Sequence, residues 1–421
     1  PEINIDIMAW YRVETMLTSF NPEFQRKVKY GLVEIENGDK PVASCVTEIE
    51  DGISILTNSP FVQKARENVV EALLLSHPLD CPICDQGGEC DLQDEVKKYG
   101  SNYSRYFFKK KSVEDKYCGP LIKTIMTRCI SCTRCVRFGT EIAGYDFYGT
   151  LNRGGSTEIG PYISDFFSSE ISGNVIDLCP VGALTSAPYA AKGRPWELRV
   201  AESIDVTDSL GANIYVNFKE TNVVRVFPKS NHTINDNLIS DRARFTYDAN
   251  STNRVISLEI PAVEENKKNN FVGWKRFLGK VDKLIESKKI SFFIDDKLDF
   301  ESLVALKKIA ALYPESIKTY SLYSSKKTNY YSNLNNNFFS LVNCVDSCVV
   351  FLGTNPKIEN AVLNAKIRIR IKNNLINLYT SGLSFEYNYT NNFLNLSFAY
   401  IIKSITGKLK VLSDSIAESV F

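Results

Sequence analysis

Three signatures of common enzyme chemistry are missing from this chain of 421 residues. It has no nucleophile elbow, no H-E-x-x-H pair and no G-x-G-x-x-G phosphate loop, so hydrolase and nucleotide chemistry find no support. Histidine itself is scarce: His77 and His232 are the only two. No apolar run approaches the roughly 18 residues that cross a bilayer, so the chain is expected to be soluble or peripheral, without a membrane span of its own. Lys and Arg total 50 against 49 Asp and Glu, a net charge of +1. No overall field therefore favours nucleic acid or anionic lipid. A disulfide framework is also disfavoured. Cysteines number an odd 11, most of them lie from Cys81 to Cys179, and their spacings are too short for pairing; thiolates kept reduced for metal fit better. The chain starts at Pro1 rather than Met, which reads as a processed or incomplete product, so an absent targeting peptide says nothing.

What is present is a pair of ligand-like sets. Cys129, Cys132 and Cys135 stand at C-x₂-C-x₂-C spacing, and a distant Cys179 is followed by Pro180. Two-residue gaps in tandem suit three corners of an iron–sulfur cubane better than one tetrahedral ion, with the Cys-Pro closing the fourth corner. Upstream, His77, Cys81, Cys84 and Cys90 are spaced H-x₃-C-x₂-C-x₅-C. Taken alone, a Cys₃His set favours structural zinc, because tetrahedral N/S coordination does not separate zinc from iron. A neighbouring cluster shifts the balance toward a second one, since a lone cluster needs a redox partner. A histidine in place of one thiolate removes negative charge, which tends to raise that cluster's potential.

Residues 1–60 read as short strands, with alternation over Ile3 to Ile7 and Gly31 to Glu36 and a turn at Gly38-Asp39. Residues 62–76 read as a helix with the apolar stripe Val62, Ala65, Val69, Val70, Leu73 and Leu74, ended by His77-Pro78. Gly87-Gly88 gives the first metal stretch freedom to wrap an inorganic core. A second cysteine-bearing unit covers 118–195. Beyond 196, strand-like runs such as Ile290 to Ile294 and Cys348 to Leu352 alternate with helical stretches such as 300–312, which suggests α/β organisation. Cys344 and Cys348 read as core residues, Cys118 as a packed thiol, His232 as a turn residue and Lys109-Lys110-Lys111 as a solvated face.

The runs His77-Pro78-Leu79-Asp80-Cys81-Pro82-Ile83-Cys84-Asp85-Gln86-Gly87-Gly88-Glu89-Cys90 and Thr127-Arg128-Cys129-Ile130-Ser131-Cys132-Thr133-Arg134-Cys135 resemble the large iron–sulfur (75 kDa) subunit family of respiratory complex I. So do Cys179-Pro180-Val181-Gly182-Ala183-Leu184 and Arg194-Pro195-Trp196-Glu197, and the resemblance is dense from about residue 30 to 250. It implies a multidomain α+β and α/β chain. The expected parts are a ferredoxin-like β-grasp domain (1–60), a helical His/Cys₃ [4Fe–4S] domain (61–117) and a Cys₄ [4Fe–4S] domain (118–195). A shortened molybdopterin-oxidoreductase-like α/β domain without active site (196–421) completes the chain. It further implies two [4Fe–4S] clusters, one on His77, Cys81, Cys84 and Cys90 and one on Cys129, Cys132, Cys135 and Cys179. These would pass electrons from a flavoprotein (NADH-binding) subunit toward ubiquinone, as part of a proton-translocating NADH:ubiquinone reductase with no substrate site in this chain. Partners would be that flavoprotein and other peripheral-arm subunits. The setting would be the matrix side of the mitochondrial inner membrane, or the bacterial cytoplasmic side.

Two departures stand out. The family's N-terminal [2Fe–2S] ligands would fall near Leu17 and on Val28, Gly31 and Cys45, of which only Cys45 is a thiol. No [2Fe–2S] cluster is expected here. The α/β region is short, and Gly353-Thr354-Asn355-Pro356, similar to a pterin-contacting loop, reads as a strand-to-helix turn, so neither molybdenum nor pterin is expected. The alternatives are the electron-input module of an NAD-linked hydrogenase or formate dehydrogenase, and a zinc-stabilised scaffold. Arg128 and Arg134 would either tune cluster potential or contact subunits.

Overall fold

In this computed structural model the described residues are 32–36, 38–44, 47, 51–146, 148–162, 169–250, 252, 258–260, 270–287, 290–294, 298–321, 348–382, 385, 387 and 389–394. They form a mixed α/β chain with two contact units, residues 1–250 with 339–421, and residues 251–338.

The first unit opens with a small antiparallel sheet in the order β2-β1-β3, from Val42–Ala43, Leu32–Ile35 and Ile55–Leu56. Helix α1 (Pro60–Leu74) follows, starting two residues before its apolar stripe suggests. Ser59 Oγ accepts the Val62 N–H and Pro60 supplies a preset φ at the first turn. Val62 and Val70 of the stripe are fully buried. Lys110 Nζ donates to Leu74 O at 2.6 Å, satisfying an end carbonyl. Lys111 Nζ reaches Gly155 O at 3.2 Å, so this lysine run is partly a set of internal straps rather than only a solvated face. Helix α2 (Asp91–Tyr99) carries Asp91 and Asp94 in its first turn and Lys97 and Lys98 in its last, matching the helix dipole.

Strand β4 (Ile122–Thr124) later pairs antiparallel with β7 (Leu184–Ser186), and β5 (Tyr148–Leu151) with β6 (Glu158–Pro161). Between them lie α3 (Arg134–Arg137), which runs into a wider helical turn at Phe138–Ala143, and α4 (Asn174–Leu178). A meander of β8 (Arg199–Ile204), β9 (Asn213–Lys219) and β10 (Asn222–Pro228) and the short α5 (Asp241–Phe245) complete this part. One core joins Met126, Phe138, Ile142, Ile159 and Val175 to Ala212 and Val226 of the meander.

In the second unit, β11 (Leu258–Ile260) pairs with β12 (Asn270–Val272), and α6 (Trp274–Ser287) follows. Then β13 (Ile290–Ile294), α7 (Phe300–Leu312) and β14 (Ile317–Ser321) form a parallel pair with its crossover helix. Asp299 caps α7 by accepting the Ser302 N–H at 2.9 Å.

The chain then returns to the first unit with three parallel strands, β15 (Cys348–Leu352), β16 (Asn377–Ser381) and β17 (Asn392–Leu394). Between β15 and β16 run α8 (Pro356–Glu359) and α9 (Ala361–Lys372). The expected strand-to-helix turn is there: Gly353 sits at φ +65 and Asn355 accepts the Lys357 N–H. Helix α9 is buried on most sides. Val362 and Ala365 enter the same core as Phe138, and Arg368 donates to Thr140 O (3.0 Å), Glu141 O (2.5 Å) and Ile142 O (3.3 Å).

Candidate metal centre

The pairing of β4 with β7 assembles the second ligand set. Strand β4 leads through a single turn, Met126–Arg128, into Cys129, while Cys179-Pro180 leads into β7. Their register, Ile122 opposite Ser186 and Thr124 opposite Leu184, brings the distant Cys179 beside the 129–135 loop. That loop turns through Ser131 (φ 53) and Thr133 (φ 59), left-handed positions without glycine. Such conformations cost about 1–3 kcal/mol each and persist where surroundings enforce them. Ser131 N–H donates to Cys129 Sγ at 3.3 Å. Burial, then the thiols of Cys179, Cys132 and Cys129, push Cys135 well above the usual thiol range. Burial first, then Cys132 and Cys129, push Cys179 up to about 12. Cys135 and Cys179 so placed resist ionising together unless a positive core offsets their charge.

His77, Cys81, Cys84 and Cys90 line one cavity of about 670 Å³. Burial, then the Lys110 and Arg128 charges, lower the His77 pKa, which keeps the imidazole neutral and its lone pair free. Its Nδ1 is buried without a hydrogen-bond partner. Orphaned buried nitrogens are rare and point to a missing acceptor or metal. Cys90 is raised by burial, with Cys84 and Cys81 adding to the effect.

This loop is held by cations from downstream elements. Arg128 Nε donates to Asp80 Oδ2 at 3.0 Å, Lys123 Nζ to Asp85 Oδ2 at 2.9 Å, and Arg225 grips both oxygens of Glu89 at 2.6 and 2.7 Å. Arg194 donates to Cys84 O at 2.5 Å and to Pro82 O. Gly88 sits at φ +92, and a Cβ there would strike the Trp196 ring, so its glycine serves both the turn and the close approach.

The two sets meet across residues 180–183. Cys90 Sγ donates to Pro180 O at 3.6 Å, and Val181 and Ala183 pack with Cys90 and Leu92 against Cys129 and Cys179. Among the described residues, no group of three His, Cys, Asp or Glu side chains converges on a single-ion position. One zinc with four thiolates would draw sulfurs to within about 4 Å of one another. A four-iron core holds its ligands farther apart, so three thiols and an orphaned imidazole lining one cavity fit such a group at the first set.

Arg128 and Arg134 both turn inward: Arg128 is 2% exposed, and Arg134 Nη1 lies 3.9 Å from Asp91. The sequence offers a signal for the acidic clamp, three carboxylates interleaved with ligands at Asp80, Asp85 and Glu89, but not for their partners. Cys118 is a buried thiol beside the Tyr148 hydroxyl (3.8 Å), outside both sets, and His232 lies in an exposed turn. Leu17, Val28, Gly31, Cys45 and Cys344, with the Ile3 to Ile7 run, lie outside the described residues.

Three family models match in chain order. They are the NADH-ubiquinone oxidoreductase-G iron-sulfur binding region over 66–105, the NADH-quinone oxidoreductase subunit 3 ferredoxin-like domain over 119–185, and the NADH-ubiquinone oxidoreductase NDSU1/NuoG-like 4Fe-4S domain over 198–248. The NADH-ubiquinone oxidoreductase 75 kDa subunit of Reclinomonas americana is 42% identical over 396 residues, 90% of this chain and 57% of that protein. The mitochondrial 78 kDa subunit of Neurospora crassa is 42% identical over 388 residues, 89% of this chain and 52% of its own. The mitochondrial NADH dehydrogenase [ubiquinone] iron-sulfur protein 1 of Solanum tuberosum is 40% identical over 395 residues, 90% and 51%. The chain thus spans about half the length of the curated relatives it matches. A solved NAD⁺-reducing [NiFe]-hydrogenase chain is similar at 22% identity and TM-score 0.35, over 40% of this chain and 72% of its own, too low for any argument. Along nine-tenths of its length, this chain is a relative of the large iron–sulfur (75 kDa) subunits of NADH-ubiquinone oxidoreductase.

Proposed function

We propose that the chain is an electron-transfer subunit of the peripheral arm of an NADH:ubiquinone oxidoreductase, holding two [4Fe–4S] clusters. His77, Cys81, Cys84 and Cys90 would hold one and Cys129, Cys132, Cys135 and Cys179 the other. The observation that carries the reading is the joining of two four-donor sets across one buried loop, 180–183. Such clusters, when bound, accept and pass on single electrons. The chain's own part is to bury Cys84, Cys90 and Cys135, fix His77 as neutral imidazole and exclude water with Met126, Val175, Leu178 and Val181. Its cations clamp the first loop in place. No substrate site is needed for this task, and the parent complex would carry the NADH:ubiquinone reductase activity.

The finer reading follows the family. Residues 1–60 form a β-grasp domain without a [2Fe–2S] cluster, given Val28 and Gly31 with Cys45 alone remaining. Residues 61–117 and 118–195 are the two cluster domains, and 196–421 is a shortened molybdopterin-oxidoreductase-like region without molybdenum or pterin. Partners are the flavoprotein subunit and other peripheral-arm subunits on the matrix side of the mitochondrial inner membrane. No helix among the described residues is long and apolar enough to cross a membrane.

Iron, zinc and acid-labile sulfide per chain test this on anaerobically purified protein. About eight irons with matching sulfide and no zinc are expected. About four irons with one zinc would reassign the His77 set as structural.

A further inference from the structure

Arg128 belongs by position to the second ligand set, since it immediately precedes Cys129. Its side chain serves the first. At 2% exposure the guanidinium reaches away from its own loop and lines the cavity shared by His77, Cys81, Cys84 and Cys90. Nε donates to Asp80 Oδ2 at 3.0 Å, and Nη1 donates to Gly182 O at 3.5 Å. Asp80 lies between two ligands of the first set, and Gly182 lies on the loop against Cys84. One side chain therefore touches the three segments on which both sets depend.

The charge balance at this point is uneven. Burying a guanidinium is costly unless it is paired, and the pairing must be good. Asp80 is its one salt-bridge partner among the described residues, at a single nitrogen, and that carboxylate is 32% exposed. A thiolate-ligated iron–sulfur core is anionic, and each electron it accepts adds one more negative charge. A fixed, water-excluded cation on its wall stabilises the reduced form more than the oxidised one and so raises the potential. Asp80, which lines the same cavity, has the opposite effect.

We propose that Arg128 is a positioning residue that locks the two cluster loops together and raises the reduction potential of the His77 set, with Asp80 as its counterweight. This rests on the reading that the His77 set holds an iron–sulfur cluster. A wild-type chain with no iron at that set would remove that reading, and iron analysis settles it before any variant is compared.

The test is a redox titration followed by electron paramagnetic resonance on the full chain, purified anaerobically with its clusters, for wild type, Arg128→Met, Arg128→Lys and Asp80→Asn. The His77-set signal of Arg128→Met is expected to shift to lower potential by about a tenfold change in the reduction equilibrium, roughly 59 mV for one electron. Arg128→Lys is expected to keep most of the wild-type potential. Asp80→Asn is expected to shift it upward. Where Arg128→Met fails to take up iron, the sign for Asp80→Asn decides. A rise supports the proposal, and no shift or a fall overturns it. A fully loaded Arg128→Met chain at wild-type potential also overturns it, because a purely structural arginine would give that result.

Discussion

No carbon fits between the Cα of Gly182 and the sulfur of Cys84: a Cβ built on Gly182 would stand far inside van der Waals contact with Cys84 Sγ. The glycine belongs to the loop that delivers Cys179, and the sulfur belongs to the other ligand set. Gly182→Ala is therefore expected to displace Cys84 and empty the first site while sparing the second. Iron per chain should fall by about half, from about eight toward about four. Retention of full iron would show that the two loops yield easily.

On the proposed reading, Cys129→Ala removes a ligand of the second set. It would then abolish that cluster and stop electron flow to the quinone in the assembled complex, while NADH oxidation by artificial acceptors survives. Quinone reductase activity persisting in a fully assembled variant would place that cluster off the obligatory path.

Arg368 ends the helical segment that begins near Cys135, by donating to three of its last carbonyls. Arg368→Met leaves those carbonyls without their donor in a buried setting. The expected cost is about 2 kcal/mol, read as a lower urea midpoint of the full chain. An unchanged midpoint would mean that the carbonyls find other partners.

Asp241 offers a pH test away from the ligands. Burial raises its carboxyl above the usual value of 3.8, against hydrogen bonds from the Ser172 hydroxyl (2.6 Å) and the Gly173 N–H (2.7 Å) that lower it. A carboxyl raised on folding binds more protons folded than unfolded. Its contribution is full below the unfolded value and declines as pH rises through the raised one. Asp241→Asn keeps an acceptor for Gly173 and removes this decline. Compared with wild type, its urea midpoint should fall less as pH is raised from 3.8 upward. Parallel curves would disprove the assignment.

What the sequence made legible is what depends on near neighbours. The stripe of α1, the strands Ile290–Ile294 and Cys348–Leu352 and the helix Phe300–Leu312 follow from local periodicity and caps. The two candidate donor sets rest on spacing. Partners chosen by tertiary contact were not legible. Nothing local points from Glu89 to Arg225, 136 residues on, which grips it. Lys110 reads as part of a charged face, yet it closes the end of α1. The pairing of β4 with β7 has no local signature either, because both strands are only three residues long.

The distance of those partners sets an order of events during synthesis. When the ribosome has delivered both ligand sets, the first loop still lacks its grip from Arg225, and the helix after Cys135 still lacks Arg368, which bonds a carbonyl 227 residues earlier. A nascent chain ending near residue 200 would thus hold all eight candidate donors, with Asp80, Asp85 and the Cys84 carbonyl already gripped by Arg128, Lys123 and Arg194, but with Glu89 and the helix after Cys135 still unbraced. On the proposed reading the last braces of both sites arrive only with a chain released almost whole, and a premature stop between 200 and 368 would lack the Arg368 brace although it contains all eight candidate donors.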